Sequence, residues 1–267
     1  RDHVGVLFLN SPKTKNALKS EDMLLIRDIL DREAKSEIYA LIISGKGNVF
    51  CSGADFSELI SIIGTNRKDQ ELQSNDMSKL CDSIQNFPHP TVCALNGSAY
   101  GGGVEIACAC DFRISVSDIE IMVPPAKIGI HYHPAGIRRF LNIFGQRLTK
   151  KLLLTATKMS EEELKKVGFF DEIINDGENV IEKAHSFIKQ CKELSSEAVS
   201  GMKLSINDII MDSVDTKSLD LRIGKALRSP YLEKQLKLIK EKKQLDIKPS
   251  MIQPVKEIKS LGKFKVK

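Results

Sequence analysis

The stretch Asn96-Gly97-Ser98-Ala99-Tyr100-Gly101-Gly102-Gly103-Val104-Glu105 decides how the middle of this chain folds. It follows the apolar run Thr91–Leu95, which predicts a buried strand, and it leads into a helix predicted from Gly103 to about Cys110. Glycines at the end of a strand let the main chain approach a ligand closely, and a helix that begins there presents free N–H groups. Such groups can hold a phosphate or a carbonyl oxygen that becomes an oxyanion, although a glycine triplet also serves as a tight turn.

A second segment, Asn48-Val49-Phe50-Cys51-Ser52-Gly53-Ala54-Asp55, has the same character. A strand ends there, Gly53 relaxes the main chain, and Asp55 can cap a helix that starts near Phe56. Neither segment has the glycine spacing of a dinucleotide-binding fingerprint or of a P-loop, and Ser98 is not at the centre of a nucleophile elbow. Two such loops at strand ends can converge on one oxygen.

The remaining pattern indicates an α/β fold. The run Val4–Leu9, a helix that follows Ser20, and the run Tyr39–Ser44 form a βαβ unit with parallel strands. A helix near residues 69–86 and short strands at residues 112–116 and 119–122 continue this order. Helices dominate from Ala135 onward, and they are predicted at Ile137–Phe144, Arg147–Leu154, Glu161–Lys166, Val180–Glu193 and, as one long helix, from Thr216 to about Lys243. We expect a core over residues 1–190, followed by a helical region and a basic tail over residues 191–267.

The composition of this 267-residue chain, with 42% apolar and 28% charged residues, is that of a soluble globular protein. No apolar run approaches the roughly 20 residues that cross a bilayer, so no membrane association is expected. The net charge of +5 comes largely from lysines of the last third. A basic helix is usually a solvated face, but it also suits a polyanionic small molecule. Because no RNA-recognition aromatic signature or zinc-finger spacing is present, nucleic acid is not the expected partner.

The six cysteines, at positions 51, 81, 93, 108, 110 and 191, contain no paired CxxC spacing. Such scattered cysteines are typical of small buried side chains in a reducing compartment. We therefore expect a protein of the cytoplasm or of an organelle matrix that is not secreted. No metal site is expected either, because a zinc site needs tighter clusters, and His131 and His133 alone supply too few ligands.

Four motifs in order give the chain a specific resemblance. These are Leu-Asn, Pro and Asn-Ala near residues 9–17, Phe-Cys-Ser-Gly-Ala-Asp at 50–55, Ala-Leu-Asn-Gly-Ser-Ala-Tyr-Gly-Gly-Gly-Val-Glu at 94–105, and Cys-Asp-Phe-Arg-Ile at 110–114. Over about residues 4–175 the chain resembles the crotonase (enoyl-CoA hydratase/isomerase) superfamily, with a looser match beyond. The resemblance implies a core of ββα units wound into a superhelix, and a C-terminal helical region that forms trimers or dimers of trimers.

The same resemblance implies roles for individual residues. The N–H groups of the residues matching Ala54 and Gly102 hold the carbonyl of an acyl-CoA thioester, and Glu105 is an acid–base. The segment around Ser52 and Asp55 belongs to the same site. Coenzyme A enters only as part of the substrate, near Lys13 or Lys15 and, more loosely, near Tyr231 and Lys234. Apart from the resemblance, those lysines are ordinary surface charges and Glu105 is an acid that complements the helix dipole.

The chain departs from the hydratases of that superfamily at one decisive position. Their second glutamate belongs to a Pro-Glu-x-x-x-Gly pattern, and Pro125 stands in its place within Pro124-Pro125-Ala126-Lys127-Ile128-Gly129. A neighbouring loop that carries an acid in some isomerases holds His133 and Pro134-Ala135-Gly136 here. Histidine and tyrosine can exchange protons or donate hydrogen bonds, so Tyr132 and His133 are candidates, unless the His-Tyr-His loop only packs.

A single carboxylate serves isomerisation, decarboxylation or another lyase reaction better than hydration. We therefore expect an enzyme that forms a thioester enolate with Glu105 as its acid–base. The alternative is a degenerate member that binds acyl-CoA or RNA without catalysis. A purely structural, trimer-forming protein is a third reading, and the retention of both oxyanion segments speaks against it. Residues from about Ser57 to Ser74 are expected to line the acyl pocket.

Overall fold

The structure, a computed structural model, describes residues 3–58 and 75–246, with side chains up to residue 241. The strands are β1 Val4–Leu9, β2 Ala40–Gly45, β3 Val49–Cys51, β4 Thr91–Leu95, β5 Ser98–Tyr100, β6 Phe112–Ser115, β7 Glu120–Met122, β8 Met159–Ser160 and β9 Glu172–Ile173. The helices are α1 Ser20–Glu33, α2 Asp76–Gln85, α3 Gly102–Ala109, α4 Pro134–Thr155, α5 Glu161–Lys166, α6 Val180–Ile188, α7 Ser196–Ile210, α8 Thr216–Leu227 and α9 Pro230–Asp246.

Two sheets carry the core. A five-stranded sheet has the order β1-β2-β4-β6-β9, with all its pairings parallel, and a four-stranded sheet has the order β3-β5-β7-β8, in which only β7 and β8 are antiparallel. The predicted parallel β1-α1-β2 unit is confirmed. The pattern Val4–Leu9 predicts β1 to the residue, and Thr91–Leu95 predicts β4 in the same way.

The chain repeats a strand-strand-helix unit. β4, β5 and α3 form one unit and β6, β7 and α4 form the next, and within each unit the first strand joins the five-stranded sheet while the second joins the four-stranded one. The α/β class and the ββα arrangement of the core are therefore confirmed. Large buried side chains such as Phe50, Phe140 and Phe169 fill the main core, which forms where the strands and helices pack together.

The helical part differs from its prediction at three places. The predicted long helix from Thr216 to about Lys243 is wrong, because α8 ends at Leu227 and α9 begins at Pro230, a residue that cannot donate an N–H to the preceding turn. Helix α7 was not predicted at all. The predicted helix Val180–Glu193 is α-helical only to Ile188 and then tightens into a 3-10 turn.

Other helical predictions hold. The expected break between Ile137–Phe144 and Arg147–Leu154 lies at Gly145, whose φ of 66° and ψ of 170° interrupt α4. The predicted helix Glu161–Lys166 is α5. Of the helix predicted near residues 69–86 the structure describes only α2, and the predicted pocket lining from Ser57 to Ser74 lies mostly outside the described residues, as does the tail beyond residue 246.

Candidate active site

The two glycine segments predicted from the sequence lie side by side. Strands β3 and β5, which lead into them, pair in parallel, with Cys51 opposite Ala99. A Cβ added to Gly53 would lie 2.7 Å from the main-chain nitrogen of Gly102, and one added to Gly103 would lie 2.3 Å from the carbonyl oxygen of Cys51. Gly53 also has a φ of +91°, which L residues rarely adopt. Only glycines therefore allow the two loops to pack this closely.

The N–H groups of Ala54 and Gly102 take no part in the main-chain hydrogen bonds that the structure describes around these loops. Ala54 forms a parallel bridge with Leu18, but its two bonds run from Leu18 N to Gly53 O, at 2.8 Å, and from Asp55 N to Leu18 O, at 2.9 Å. That bridge does not use the N–H of Ala54. Gly102 is the first residue of α3, where an N–H has no acceptor within the helix. Both groups predicted as oxyanion donors are thus placed on adjoining loops.

Asp55 has the capping position predicted for it. Its Oδ1 accepts a hydrogen bond from Ser57 N at 2.8 Å, at the start of the helical residues that follow. The hydrogen bonds from Ser57 hold the pKa of Asp55 below its ordinary value. Asp55 is therefore an anion that fixes this loop.

The loop after β1 holds the glycine segment at residues 48–55 in place through hydrogen bonds. The buried Asn16 donates through Nδ2 to the carbonyl oxygens of Val49, at 2.8 Å, and of Phe50, at 3.1 Å. Ser52 N donates to the carbonyl of Lys15 at 3.0 Å, so the candidate pair Lys15 and Ser52 is brought together. Lys13 is exposed in the 3-10 turn Pro12–Thr14. The Asn-Ala motif of the sequence signals Asn16, although its clamping role needs the fold.

Glu105 lies on α3, three residues after Gly102, and is only 1% exposed. Its Oε1 accepts a hydrogen bond from Arg139 Nη1 at 2.7 Å, and the Tyr132 hydroxyl donates to the same carboxyl group. Burial raises the pKa of Glu105, while Arg139 and Tyr132 oppose that rise. The carboxyl group is thus buried and fixed by a cation and a hydroxyl.

Gly136 makes room for this arrangement. A Cβ there would lie 2.6 Å from Tyr132 Cε1 and 2.9 Å from Glu105 Cδ, so the ring and the carboxyl group both rest against its main chain. Burial raises the pKa of the Tyr132 hydroxyl well above its ordinary value, which keeps it a donor at neutral pH. The structure brings Tyr132 to Glu105, as the sequence hypothesis requires.

His133 has a different setting. It is the N-cap of α4, where its Nδ1 lies 3.3 Å from Ala135 N and 2.9 Å from the Oγ of the buried Ser78. In the neutral ring an accepting Nδ1 leaves the proton on Nε2. His131 and His133 are both exposed. His133 therefore caps α4 and links it to Ser78 of α2.

Sequence reasoning missed the group that organises Glu105. Arg139, only 2% exposed, donates from Nε to Gln85 Oε1 at 2.8 Å and pairs through Nη2 with Asp82, both of which lie on α2. Arg139 follows Arg138, which is only partly buried, in an amphipathic helix, and the sequence has no signal that tells the two arginines apart. Only the packing of α2, α3 and α4 brings these residues together.

The C-terminal candidates lie on α9. The Tyr231 hydroxyl donates to the carbonyl of Glu193 at 2.6 Å, so it ties α9 to the 3-10 turn after α6. Lys234 is exposed on the next turn of α9.

The cysteines follow the sequence prediction. All six are free thiols, and five are buried. Burial raises the pKa of Cys51 to about 12 and that of Cys108 to about 12, so both thiols are protonated at neutral pH. Among residues 3–58 and 75–246, no group of three His, Cys, Asp or Glu side chains is placed to hold a metal ion. None of the helices that the structure describes is long and apolar enough to cross a membrane.

Comparison with known proteins agrees with these features. The family model described as enoyl-CoA hydratase/isomerase matches residues 1–242. The chain belongs to the enoyl-CoA hydratase/isomerase family, within the crotonase superfamily. A probable enoyl-CoA hydratase of Bacillus subtilis is 29% identical over 248 residues, which cover 92% of this chain and 95% of that protein. The ethylmalonyl-CoA decarboxylase of Bos taurus is 30% identical over 214 residues, covering 76% of this chain and 67% of that protein.

Solved structures of the family share the fold. An enoyl-CoA hydratase/isomerase family protein of Hyphomonas neptunium superposes with a TM-score of 0.81 at 24% identity, over 90% of this chain and 92% of that one. The enoyl-CoA hydratase of Bacillus anthracis gives a TM-score of 0.79 at 24% identity, over 90% and 93% of the two chains. The ββα core and the C-terminal helices are thus those of the crotonase fold.

Proposed function

We propose that this member of the family is an enzyme that converts an acyl-CoA thioester through an enolate, with Glu105 as its single acid–base. The observation that carries the proposal is the position of the Glu105 carboxyl group. It is buried on the first turns of α3, beside the loops that carry Ala54 and Gly102, and it is held by Arg139 and Tyr132. A carboxyl group in such a place can reach the carbon next to the thioester carbonyl.

In the proposed step the N–H groups of Ala54 and Gly102 donate to the thioester oxygen. The Glu105 carboxylate takes a proton from Cα, the electron pair of the C–H bond forms the enolate, and the negative charge moves to the thioester oxygen. Donors fixed in advance stabilise that charge by about 3 kcal/mol each. The protonated Glu105 then returns the proton to the substrate.

The class of reaction that we propose follows from the lack of the hydratases' second carboxylate at Pro125. Pro125, at the start of the 3-10 turn Pro125–Ile128, occupies its expected position and has no acid or base to offer. We therefore favour an isomerase, a decarboxylase or another lyase over a hydratase that uses two glutamates. The ethylmalonyl-CoA decarboxylases among the relatives support this direction, because their names assign a reaction other than hydration.

Coenzyme A is proposed to enter only as part of the substrate, with no permanently bound cofactor. Its binding surface would include Lys13, Lys15, Ser52, Asp55 and Tyr231, with Lys234 beside it. The bond between Ser52 and Lys15 supports this grouping, because it joins two of these residues at the entrance of the glycine segments.

A homotrimer, or a dimer of trimers, is the proposed assembly, built from the helical region after residue 190. Exposed large apolar side chains concentrate there, and such clusters mark interaction surfaces. On α7, α8 and α9 they are Met202, Ile206, Ile209, Ile210, Leu221, Ile223, Leu227, Leu236, Leu238 and Ile239. Sedimentation equilibrium tests this assembly, and a monomer at micromolar concentration would contradict it. The free thiols agree with the proposed reducing compartment, the cytoplasm or an organelle matrix.

The test of the proposed function is α-proton exchange in heavy water, measured by mass spectrometry on acetyl-CoA and butyryl-CoA, whose Cα protons can be removed to give an enolate. Wild type is expected to introduce deuterium at Cα, and Glu105→Gln is expected to lose about 10²- to 10⁴-fold in exchange rate while it still binds coenzyme A. Decarboxylation of ethylmalonyl-CoA is measured in parallel. Rapid hydration of crotonyl-CoA would overturn the argument from a single carboxylate.

The alternative is a protein that binds acyl-CoA or RNA without catalysis, and Pro125 is the observation that favours it. It predicts that wild type binds coenzyme A yet causes no exchange and no decarboxylation with any of these thioesters. Exchange that Glu105→Gln abolishes would exclude it.

A further inference from the structure

Arg139 is bonded on each of its three nitrogen atoms. Nη1 donates to Glu105 Oε1 at 2.7 Å, Nε donates to Gln85 Oε1 at 2.8 Å, and Nη2 pairs with the Asp82 carboxylate. The guanidinium comes from α4 and its partners from α2 and α3, so it links three helices while only 2% exposed. A planar fork held on every side cannot swing away from Glu105.

Two neighbouring groups hold the carboxyl group of Glu105. Oε1 is the acceptor for Arg139, while the Tyr132 hydroxyl also bonds the carboxyl group. Fixing one oxygen sets the plane of the carboxyl group and aims it. Gly136 leaves the space that the carboxyl group occupies, because a Cβ there would lie 2.9 Å from Glu105 Cδ.

The charge of Arg139 matters as much as its shape. A carboxyl group with 1% exposure is driven toward its neutral form, because burial penalises the anion and raises the pKa of Glu105. Arg139 is the cation in contact with it and opposes that rise. The other titratable groups that act on this cluster, among the residues that the structure describes, are Cys81 and Asp82 of α2, Cys108 of α3, Cys110 and Tyr132.

We propose that Arg139 is a positioning residue that holds Glu105 as an anion, with one oxygen fixed and the carboxylate ready to take a proton. The inference rests on the proposed function and narrows it. A resting anion suits a substrate that gives up a proton from Cα and takes it back elsewhere, as in isomerisation. A decarboxylase would instead need a neutral Glu105 to protonate the enolate after carbon dioxide leaves.

The experiment is a pH titration of the Glu105 carboxyl group by carbon-13 NMR on protein labelled at the glutamate side-chain carboxyl, with Glu105→Gln used to assign its signal. In wild type we expect Glu105 to be ionised at pH 7. In Arg139→Gln we expect its midpoint to move up by about one pH unit or more, because an opposite charge in contact shifts a carboxyl pKa by that amount. An unchanged midpoint, or a wild-type Glu105 that is neutral at pH 7, would overturn the proposal.

Arg113 supplies the matched control. It is also a buried arginine beside α3, but its guanidinium donates to main-chain carbonyl oxygens, those of Ala107, Cys110 and Phe169 among them. Its ion pair, of 3.7 Å, is with Asp171 and not with Glu105. Arg113→Gln is expected to disturb packing without moving the Glu105 midpoint. A shift of equal size in this variant would mean that the effect of Arg139→Gln is only structural.

Arg139→Lys separates charge from position, and it serves if Arg139→Gln fails to fold. Lysine keeps the cation but not the planar fork, so the Glu105 midpoint should stay within about half a pH unit of wild type while the exchange rate falls at least about tenfold. A lysine variant with full exchange would contradict the positioning role.

The two proposals fail differently. If wild type exchanges no α-proton on any thioester, the proposed function fails, yet the titration still decides whether Arg139 holds Glu105 as an anion. If α-proton exchange is present but the Glu105 titration midpoint is the same in wild type and Arg139→Gln, the proposed function stands and this inference is wrong.

Discussion

Two buried arginines flank helix α3, and they bond to different kinds of acceptor. Arg139 lies near its first turns and bonds the carboxylates of Glu105 and Asp82 and the amide oxygen of Gln85. Arg113 lies near its last turn, where it donates to the carbonyls of Cys110, at 3.0 Å, and Ala107, at 3.3 Å, and to that of Phe169 at 2.6 Å. The two halves of one short helix therefore have different surroundings.

The difference teaches how one helix can serve both chemistry and stability. The last carbonyl groups of a helix have no partner within it. Arg113 donates to such groups at the end of α3, and they would need a donor whatever side chains the helix carried. Arg139 satisfies no main-chain group of α3 and acts on the ionised form of one side chain. We therefore expect substitutions at Arg113 to change the stability of the protein, and substitutions at Arg139 to change both its stability and the titration of its site.

The largest loss is expected for Arg139→Met. It leaves Glu105 without its cation in a buried site, and breaking a buried ion pair from one side costs about 3–5 kcal/mol in the free energy of unfolding. Urea denaturation at pH 7 measures this loss. Adding Glu105→Leu to the variant should recover much of it, since the unpaired carboxylate is then gone. A double variant as unstable as Arg139→Met alone would show that charge is not the cause.

Arg113→Met should cost less, about 2–3 kcal/mol by the same urea measurement. It leaves main-chain carbonyl oxygens unsatisfied, and each buried unsatisfied group costs about 1–3 kcal/mol. It also removes an ion pair of 3.7 Å with Asp171, but that side chain is 30% exposed and water can solvate it. The proposed α-proton exchange should keep the wild-type pH profile. A profile that shifts in this variant would erase the distinction between the two arginines.

Gly53→Ala tests the loops at the start of α3. A Cβ at Gly53 would lie 2.7 Å from Gly102 N, and φ is +91°. We expect a loss of about 2–3 kcal/mol in the free energy of unfolding, together with weaker thioester binding, because a left-handed conformation costs an L residue about 1–2 kcal/mol and the clash adds to it.

Gly177→Ala is its matched control. Gly177 has a φ of +86° with nothing within 4 Å of the added Cβ. The substitution should lower the free energy of unfolding by about 1 kcal/mol and leave thioester binding unchanged. Equal losses at the two glycines would show that the contact between the loops contributes nothing beyond backbone strain.

The smallest effect is the pH dependence of stability. Because burial raises the pKa of Glu105 above its ordinary value of 4.5, the native state binds a proton that the unfolded state has released. The contribution of Glu105 to stability is therefore largest at low pH and decreases as pH rises from about 4.5 through the native pKa. Urea denaturation from pH 4 to pH 8 should show this decrease in wild type and a flatter profile in Glu105→Gln. A steeper profile in the variant would reverse the assigned sign.

Sequence patterns predicted the parts of the fold whose signals are local. Apolar runs predicted the bounds of β1 and β4. The two periodic segments Ile137–Phe144 and Arg147–Leu154 predicted a break in α4, and the structure places that break at Gly145. The prediction failed where the local signal was overridden. Pro230 separates α8 from α9, and α7 was missed although it exposes Met202 and Ile206 on one face and buries Lys203 and Asn207 on another.

The buried face of helix α7 is polar, which explains why its sequence did not predict it. Lys203 is buried because Nζ pairs with Asp111 at 2.7 Å, and Asn207 donates to the carbonyl of Gln85 at 2.6 Å. Polar residues on the buried face and apolar residues on the exposed face reverse the usual amphipathic pattern. A pattern of this kind has meaning only with the partners in place.

The sequence by itself determined the family, the two glycine segments and Glu105, because those features are runs of neighbouring residues whose chemistry is local. The prediction that Pro125 stands where the hydratases have their second glutamate also comes from the sequence. The tertiary structure alone decided that Gly53 lies against Gly102, and that Arg139 and Tyr132 bond Glu105. The physical reason is distance along the chain: Arg139 is 34 residues from Glu105 and 54 from Gln85, so only helix packing can bring its guanidinium to them and exclude water from the contact.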